Sequence, residues 1–170
     1  MQLETLIARL EVGATTIAQL VRSFPSDQAR WKPTPEDWSV LEVVCHLLDE
    51  ERDDFRFRIE KTLYQPDQVL PPIDPPAWVS ERNYLRRELS EVLSQFLNER
   101  QQSLAFLRTL EAPNWDLPVN HPSLQGLRAG DLLVSWVAHD LLHTRQLVEL
   151  HWAGLHTHIG VFDTRYAGDW

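Results

Sequence analysis

Cysteine is almost missing from this chain of 170 residues: Cys45 stands alone. No internal disulfide can form, and a reducing, cytoplasmic setting is expected. Glycine is scarce too, at six residues, with no G-x-G-x-x-G and no Walker pattern among them. A loop that cradles phosphates through bare backbone N–H groups is therefore not expected. Positive charge is also in short supply. Sixteen Lys and Arg face 25 Asp and Glu, a formal net charge of −9. An acidic surface repels phosphate backbones and anionic lipids, which argues against nucleic acid and membrane as partners. No apolar stretch approaches the ~18 residues of a membrane-spanning helix. The opening MQLETLIARLEVG carries Glu4 and Glu11 and no long apolar run, so it lacks the form of a signal peptide. Strand alternation, internal repeats and low-complexity tracts are absent as well.

What is present is helical periodicity. At 43% apolar and 24% charged residues, the chain is sized for a single domain over 1–170 that buries its own core. Leu3, Leu6, Leu10, Ala14, Ile17 and Val21 recur at steps of three and four, predicting a helix over 3–21. Phe24-Pro25, Pro33 and Pro35 interrupt the pattern. A second helix over 39–63 opens on a capping box, Ser39 with Glu42, inside a hydrophobic staple of Trp38 and Val43. Pro66, Pro71, Pro72, Pro75 and Pro76 then read as a linker across the bundle, since proline lacks the N–H that an element needs. A third helix is expected over 80–110, with Leu85, Leu89, Val92, Phe96, Leu107 and Leu110 as its core face. After Pro113, Pro118 and Pro122, a fourth is expected over 131–152, ended by Gly154. The tail, 153–170, has no readable period and is expected to pack back as a turn or short strand. Together these make an all-α four-helix bundle with long crossover loops.

Seven histidines are generous for this length, and their placement matters more than their number. His139 and His143 are four apart, so both rings leave one helix face a turn apart. The same stripe carries Leu132, Ser135, Gln146 and Leu150, the side expected to face the interior. His46 sits in Val43-Val44-Cys45-His46-Leu47-Leu48, apolar on almost every side and so buried. Buried imidazoles need partners. Three that converge are well satisfied by a divalent cation about 2.0–2.1 Å from each nitrogen. The plainer alternative is three hydrogen-bonded core histidines. His121, His151, His156 and His158 fall in a loop or near the end, and Cys45 reads as a small buried hydrophobe. No H-E-x-x-H and no paired Glu-x-x-His occurs, which favours a mononuclear site over zincin or di-iron arrangements.

The string from Trp38 to Leu47, WSVLEVVCHL, resembles the Trp-Ser-x-x-Glu-x-x-x-His-Leu signature of the DinB-like superfamily. The string from His139 to Leu147, HDLLHTRQL, resembles that family's H-x3-H-x2-Q-[IL] signature, and His121-Pro122 with Gly126 is similar to many members. The resemblance spans most of the chain. It implies a four-helix bundle of DinB/YfiT type with one divalent metal ion, usually zinc or nickel, held by His46, His139 and His143. It further implies a homodimer, and thiol chemistry like that of related transferases and isomerases.

Three neutral imidazoles leave open positions at which water or a thiol can be activated. The expected function is therefore a metal-dependent hydrolase, or a thiol-dependent transferase, acting on a small molecule. The alternative is a non-catalytic metal or small-ligand binding protein linked to stress. Glu50, four residues after His46, is the candidate general base or acceptor behind a ligand. Otherwise Asp49, Glu50, Glu51, Asp53 and Asp54 form a solvated acidic face paired with Arg52, Arg56 and Arg58. Gln146, three after His143, either orients a ligand or is an ordinary core amide. Trp38 and Trp136 are candidates to line a pocket, and His121 to reach its mouth.

Overall fold

Residues 2–170, described by a computed structural model, fold into six α-helices. They are α1 (Leu3–Arg22), α2 (Val40–Asp49), α3 (Arg56–Tyr64), α4 (Pro75–Glu81), α5 (Leu89–Arg108) and α6 (Ala129–His156). A six-residue π-helical segment, Glu50–Phe55, joins α2 to α3 without a break. Four rods result: α1, the α2–π–α3 rod, α5 and α6. Among the described residues no β-strand forms, only an isolated bridge between Pro118 and Arg128. The rods pair: α1 lies along α6, α2 lies along α5, and α1 also meets α5.

The interior is layered. One apolar cluster joins Ala14, Ile17 and Val21 of α1 to Val43, Val44 and Leu47 of α2, Val92 and Phe96 of α5, and Leu147 and Leu150 of α6. A second joins Ile7 and Leu10 to Phe55, Ile59, Leu104, Leu107, Leu132, Leu133 and Trp136. Between them, at the level of Gly13, the π segment, Arg100 and His139, the buried residues are polar. This layer holds the candidate site.

Three boundaries differ from the expected ones, each for a local reason. The third helix starts at Leu89 rather than 80, because Asn83 turns the chain in the left-handed region (φ 51°) and Tyr84–Arg86 form a 3-10 turn. Leu85 is accordingly 42% exposed and not on the core face. Pro75 and Pro76 are not linker. They open α4, where a missing N–H costs nothing, and Asp74 caps it by accepting from Ala77 N at 3.2 Å. The fourth helix runs from Ala129 to His156, past Gly154, which is buried inside it. There a Cβ would stand 3.2 Å from the Gln28 side chain, so this glycine serves close approach rather than termination. The tail forms a 3-10 turn, Arg165–Ala167, and returns Trp170 to stack on Trp152 at 4.5 Å.

Gly13 serves the α1–α6 pairing. A Cβ at this position would sit 2.5 Å from Asp140 Oδ2, an atom that is itself held by Arg100. Gly13→Ala is expected to destabilise by about 1–3 kcal/mol, although alanine is the better helix former by about 1 kcal/mol. Urea denaturation of the two proteins side by side checks the sign.

Candidate metal centre

The site begins with where α2 starts. Glu42 accepts from Ser39 N–H at 2.8 Å, Ser39 Oγ accepts from Glu42 N–H at 3.3 Å, and Lys32 Nζ lies 2.8 Å from the Glu42 carboxylate. The reciprocal cap fixes the helix start two turns before His46. On α6, the four-residue spacing brings His139 and His143 to the same face. The three rings converge through one kind of atom. His46 Nε2 and His143 Nε2 each stand 3.1 Å from His139 Nε2. Among the described residues, this is the one group of three or more His, Cys, Asp or Glu whose ligating atoms gather so closely, all within 4.8 Å of one another.

The donor set fits an ion. Two nitrogens at about 2.0–2.1 Å from one cation and a tetrahedral angle apart are about 3.3 Å from each other, close to the 3.1 Å seen here. Charge state fits as well. Burial pushes His46 down to about 3 and His139 down to about 2, with neighbouring rings adding to it, and burial lowers His143 too. At neutral pH all three offer uncharged imidazole, the form that ligates.

The outer nitrogens complete the picture. Gln146 Oε1 lies 2.8 Å from His143 Nδ1, so the amide faces the ring rather than solvent. His46 Nδ1 is buried without a partner, and Glu50 Oε1 is 3.9 Å from it. The nearest ring atom to Glu50 is thus Nδ1, behind the ring as seen from the Nε2 cluster. Burial pushes the Glu50 carboxyl up to about 8, and Asp54 adds to that. Trp38 meets the His46 ring edge-on at 5.0 Å, and Phe55 lies 5.2 Å from His139.

The run Asp49–Asp54 is not a solvated acidic face. Asp49, Glu50, Glu51 and Asp54 are buried, because the α2–π–α3 rod runs through the interior. Asp49 accepts from Tyr84 OH at 2.7 Å and pairs with Arg52 and Arg82, and Asp54 pairs with Arg58. Glu51 takes Arg100 Nε at 2.8 Å and Trp136 Nε1 at 3.1 Å. Trp136 is therefore a buried donor to Glu51, not an open pocket wall. Arg56 reaches Glu99 on α5 instead of the acidic run.

Other candidates fall elsewhere. His121 accepts from Ser123 N–H inside its own loop. His151 stacks on Phe24 at 3.6 Å, while His156 and His158 bond to carbonyls of the last helical turns. Burial pushes the Cys45 thiol up to about 12, as befits a small buried residue. Sequence reasoning passed over Arg100 and Asp140. Arg100 lies four residues from Phe96 and four from Leu104 on a buried stripe, and a charge in such a stripe was the available signal.

The buried titrating groups set a pH dependence for the metal-free protein. Unfolded histidines, near 6.5, take up protons that the folded ones refuse, so stability falls as pH drops below about 6.5. Glu50 acts oppositely. It keeps its proton to about 8 when folded against 4.5 unfolded, so its contribution is full below 4.5 and is lost as pH rises to 8. Each proton is worth about 1.4 kcal/mol per pH unit. Below 6.5 the three imidazoles outweigh the one carboxyl; from 6.5 to about 8 the carboxyl acts alone, and at higher pH the buried Cys45 thiol adds to the decline. Denaturant unfolding across pH is expected to show a maximum near 6.5, and Glu50→Gln should remove the decline between 6.5 and 8.

The sequence model of the DinB superfamily matches residues 9–147. Among solved structures, that of YfiT from Bacillus subtilis superposes with a TM-score of 0.79 at 23% identity, covering 89% of this chain and 86% of that one. YfiT is described as a probable metal-dependent hydrolase with an unusual four-helix bundle topology. No curated protein matches the chain.

Proposed function

The chain belongs to the DinB superfamily, and from that premise we propose a metal-dependent hydrolase of a small molecule, with one divalent ion, zinc or nickel, held by Nε2 of His46, His139 and His143. The observation that carries this reading is the convergence of those three nitrogens from two helices at 3.1 Å spacings. The description of YfiT as a probable metal-dependent hydrolase lends support from a protein of the same fold. Held by three neutral nitrogens, a divalent ion keeps its full charge and open positions, and supplies Lewis acidity and activation of water or a thiol.

The chain's own residues have defined parts. Gln146 accepts from His143 Nδ1–H, which fixes the tautomer and leaves the Nε2 lone pair facing inward. Glu50 stands ready to accept from His46 Nδ1–H in the same way. Its place behind the ring makes it a positioning group for the imidazole, not a base at the reacting centre. Trp38 and Phe55 provide apolar flanks that keep bulk water from the rings. Cys45, buried and protonated, is not the thiol in any transfer chemistry. A thiol-dependent route would need a thiol co-substrate.

The net charge of −9 supports a small molecule rather than nucleic acid as partner, and no helix is long and apolar enough to cross a membrane. A homodimer in the cytoplasm belongs to the same proposal; sedimentation velocity tests its assembly. For activity, zinc- and nickel-loaded protein is assayed against esters, amides and pairs of thiol with electrophile. Turnover of an ester or amide that disappears in His143→Ala is the expected result. Thiol transfer would redirect the proposal, and silence across the panel would favour a binding protein.

A further inference from the structure

Resting on the metal-centre reading above, we infer that the buried cluster around Arg100 is a positioning device that holds the His46 helix in register with the helix carrying His139 and His143. These two helices belong to different pairs, since α2 lies along α5 and α6 along α1. Something must set the offset between the pairs, because the three Nε2 atoms meet only at one offset. Arg100 reaches every rod. Its Nε donates to Glu51 Oε1 at 2.8 Å, and its Nη1 to Leu10 O at 2.7 Å and Asp140 Oδ2 at 2.6 Å. Its Nη2 donates to Asp140 Oδ1 at 2.9 Å. Glu51 lies five residues after His46 on the same rod, and Asp140 is the chain neighbour of His139. The second Glu51 oxygen takes Trp136 Nε1 of α6 at 3.1 Å, and Trp136 stacks on Phe55 of the π segment at 5.6 Å.

Energetics separate positioning from simple stabilisation. Arg100 is 2%, Glu51 1% and Asp140 3% exposed, so all three charges are desolvated. Buried ion clusters of this kind are commonly no more stable than well-packed apolar residues of the same volume. What a guanidinium adds is direction: a planar fork that satisfies both carboxylates in one arrangement only. The cluster also sits in the layer of the histidines, between the two apolar clusters, which it meets at Phe96 and Trp136.

Arg100→Lys tests this. The lysine keeps the charge but cannot hold Glu51, both Asp140 oxygens and Leu10 O together. Two readings are taken on protein shown to be folded by circular dichroism. The first is titration of the metal-free protein with cobalt(II) alone, followed in the visible spectrum. The second is the distance distribution between nitroxides at Glu60→Cys on α3 and Arg145→Cys on α6, both exposed, while Cys45 is buried. In the variant, cobalt(II) should bind about tenfold or more weakly with altered bands, and the distances should broaden. Wild-type affinity and bands in Arg100→Lys overturn the inference. If the parent shows no cobalt(II) binding that depends on His46, the metal reading falls, and the distances then decide. A distribution as narrow as the parent's overturns the register role, and a broadened one supports it. Should Arg100→Lys not fold, the charge-free set Glu51→Gln, Arg100→Met and Asp140→Leu carries both readings.

Discussion

Truncating Arg100 to alanine is expected to cost about 3–5 kcal/mol, the toll of stripping a buried ion cluster of one member. The loss follows from what stays behind. Glu51 and Asp140 would remain in the interior as carboxylates without their cation, and Leu10 O would lose its donor. Neither acid can turn to solvent, since both side chains lie under the four rods. For a chain of this size the fall in Tm is about 10–15 °C, readable by calorimetry on metal-free protein. Removing the acids along with the arginine should restore most of it, because no desolvated charge then remains. Truncation of Arg108, whose bridge to Glu11 is exposed at 3.1 Å, should change stability by less than about 1 kcal/mol.

His139→Ala is the second large effect, and it falls on binding. His139 is the middle of the three, its Nε2 within 3.1 Å of both others, so its loss leaves two nitrogens on different helices. Structural zinc is worth about 10–16 kcal/mol over four ligands, which gives about 3–4 kcal/mol for one, or roughly 2–3 orders of magnitude in affinity. Competition of the protein against a chromogenic chelator should show that drop. Gln146→Ala, which removes only the acceptor behind His143, should cost about 10–100-fold. Equal affinities in parent and His139→Ala would remove the ion from this site altogether.

The sequence made much of this legible because two kinds of pattern are strong in it. One-sided stripes located α1 and α6, and the Ser39–Glu42 box marked the α2 start at the residue where it begins. The histidines were legible for the same reason: a four-residue step on one helix, and an apolar run around His46. What escaped depends on tertiary contact. A π segment differs from an α-helix by one residue per turn and carries no composition of its own, so Glu50–Phe55 read as ordinary helix. The run EERDD looked solvated because charge is normally outside. Only the partners across the bundle, Arg100, Trp136 and Tyr84, reveal that the run is interior. Asn83 in the left-handed region, which breaks the third helix, has no periodic signature either.

The layering of the interior has a consequence for how the molecule opens. Each rod threads both apolar clusters, yet the clusters are insulated from each other by groups whose contacts are directional and short-ranged. Hydrophobic contact tolerates sliding; a fork of hydrogen bonds does not. Cooperativity between the two ends of the bundle must therefore be transmitted through the middle layer, making it the seam along which sub-global unfolding would divide the structure into foldons.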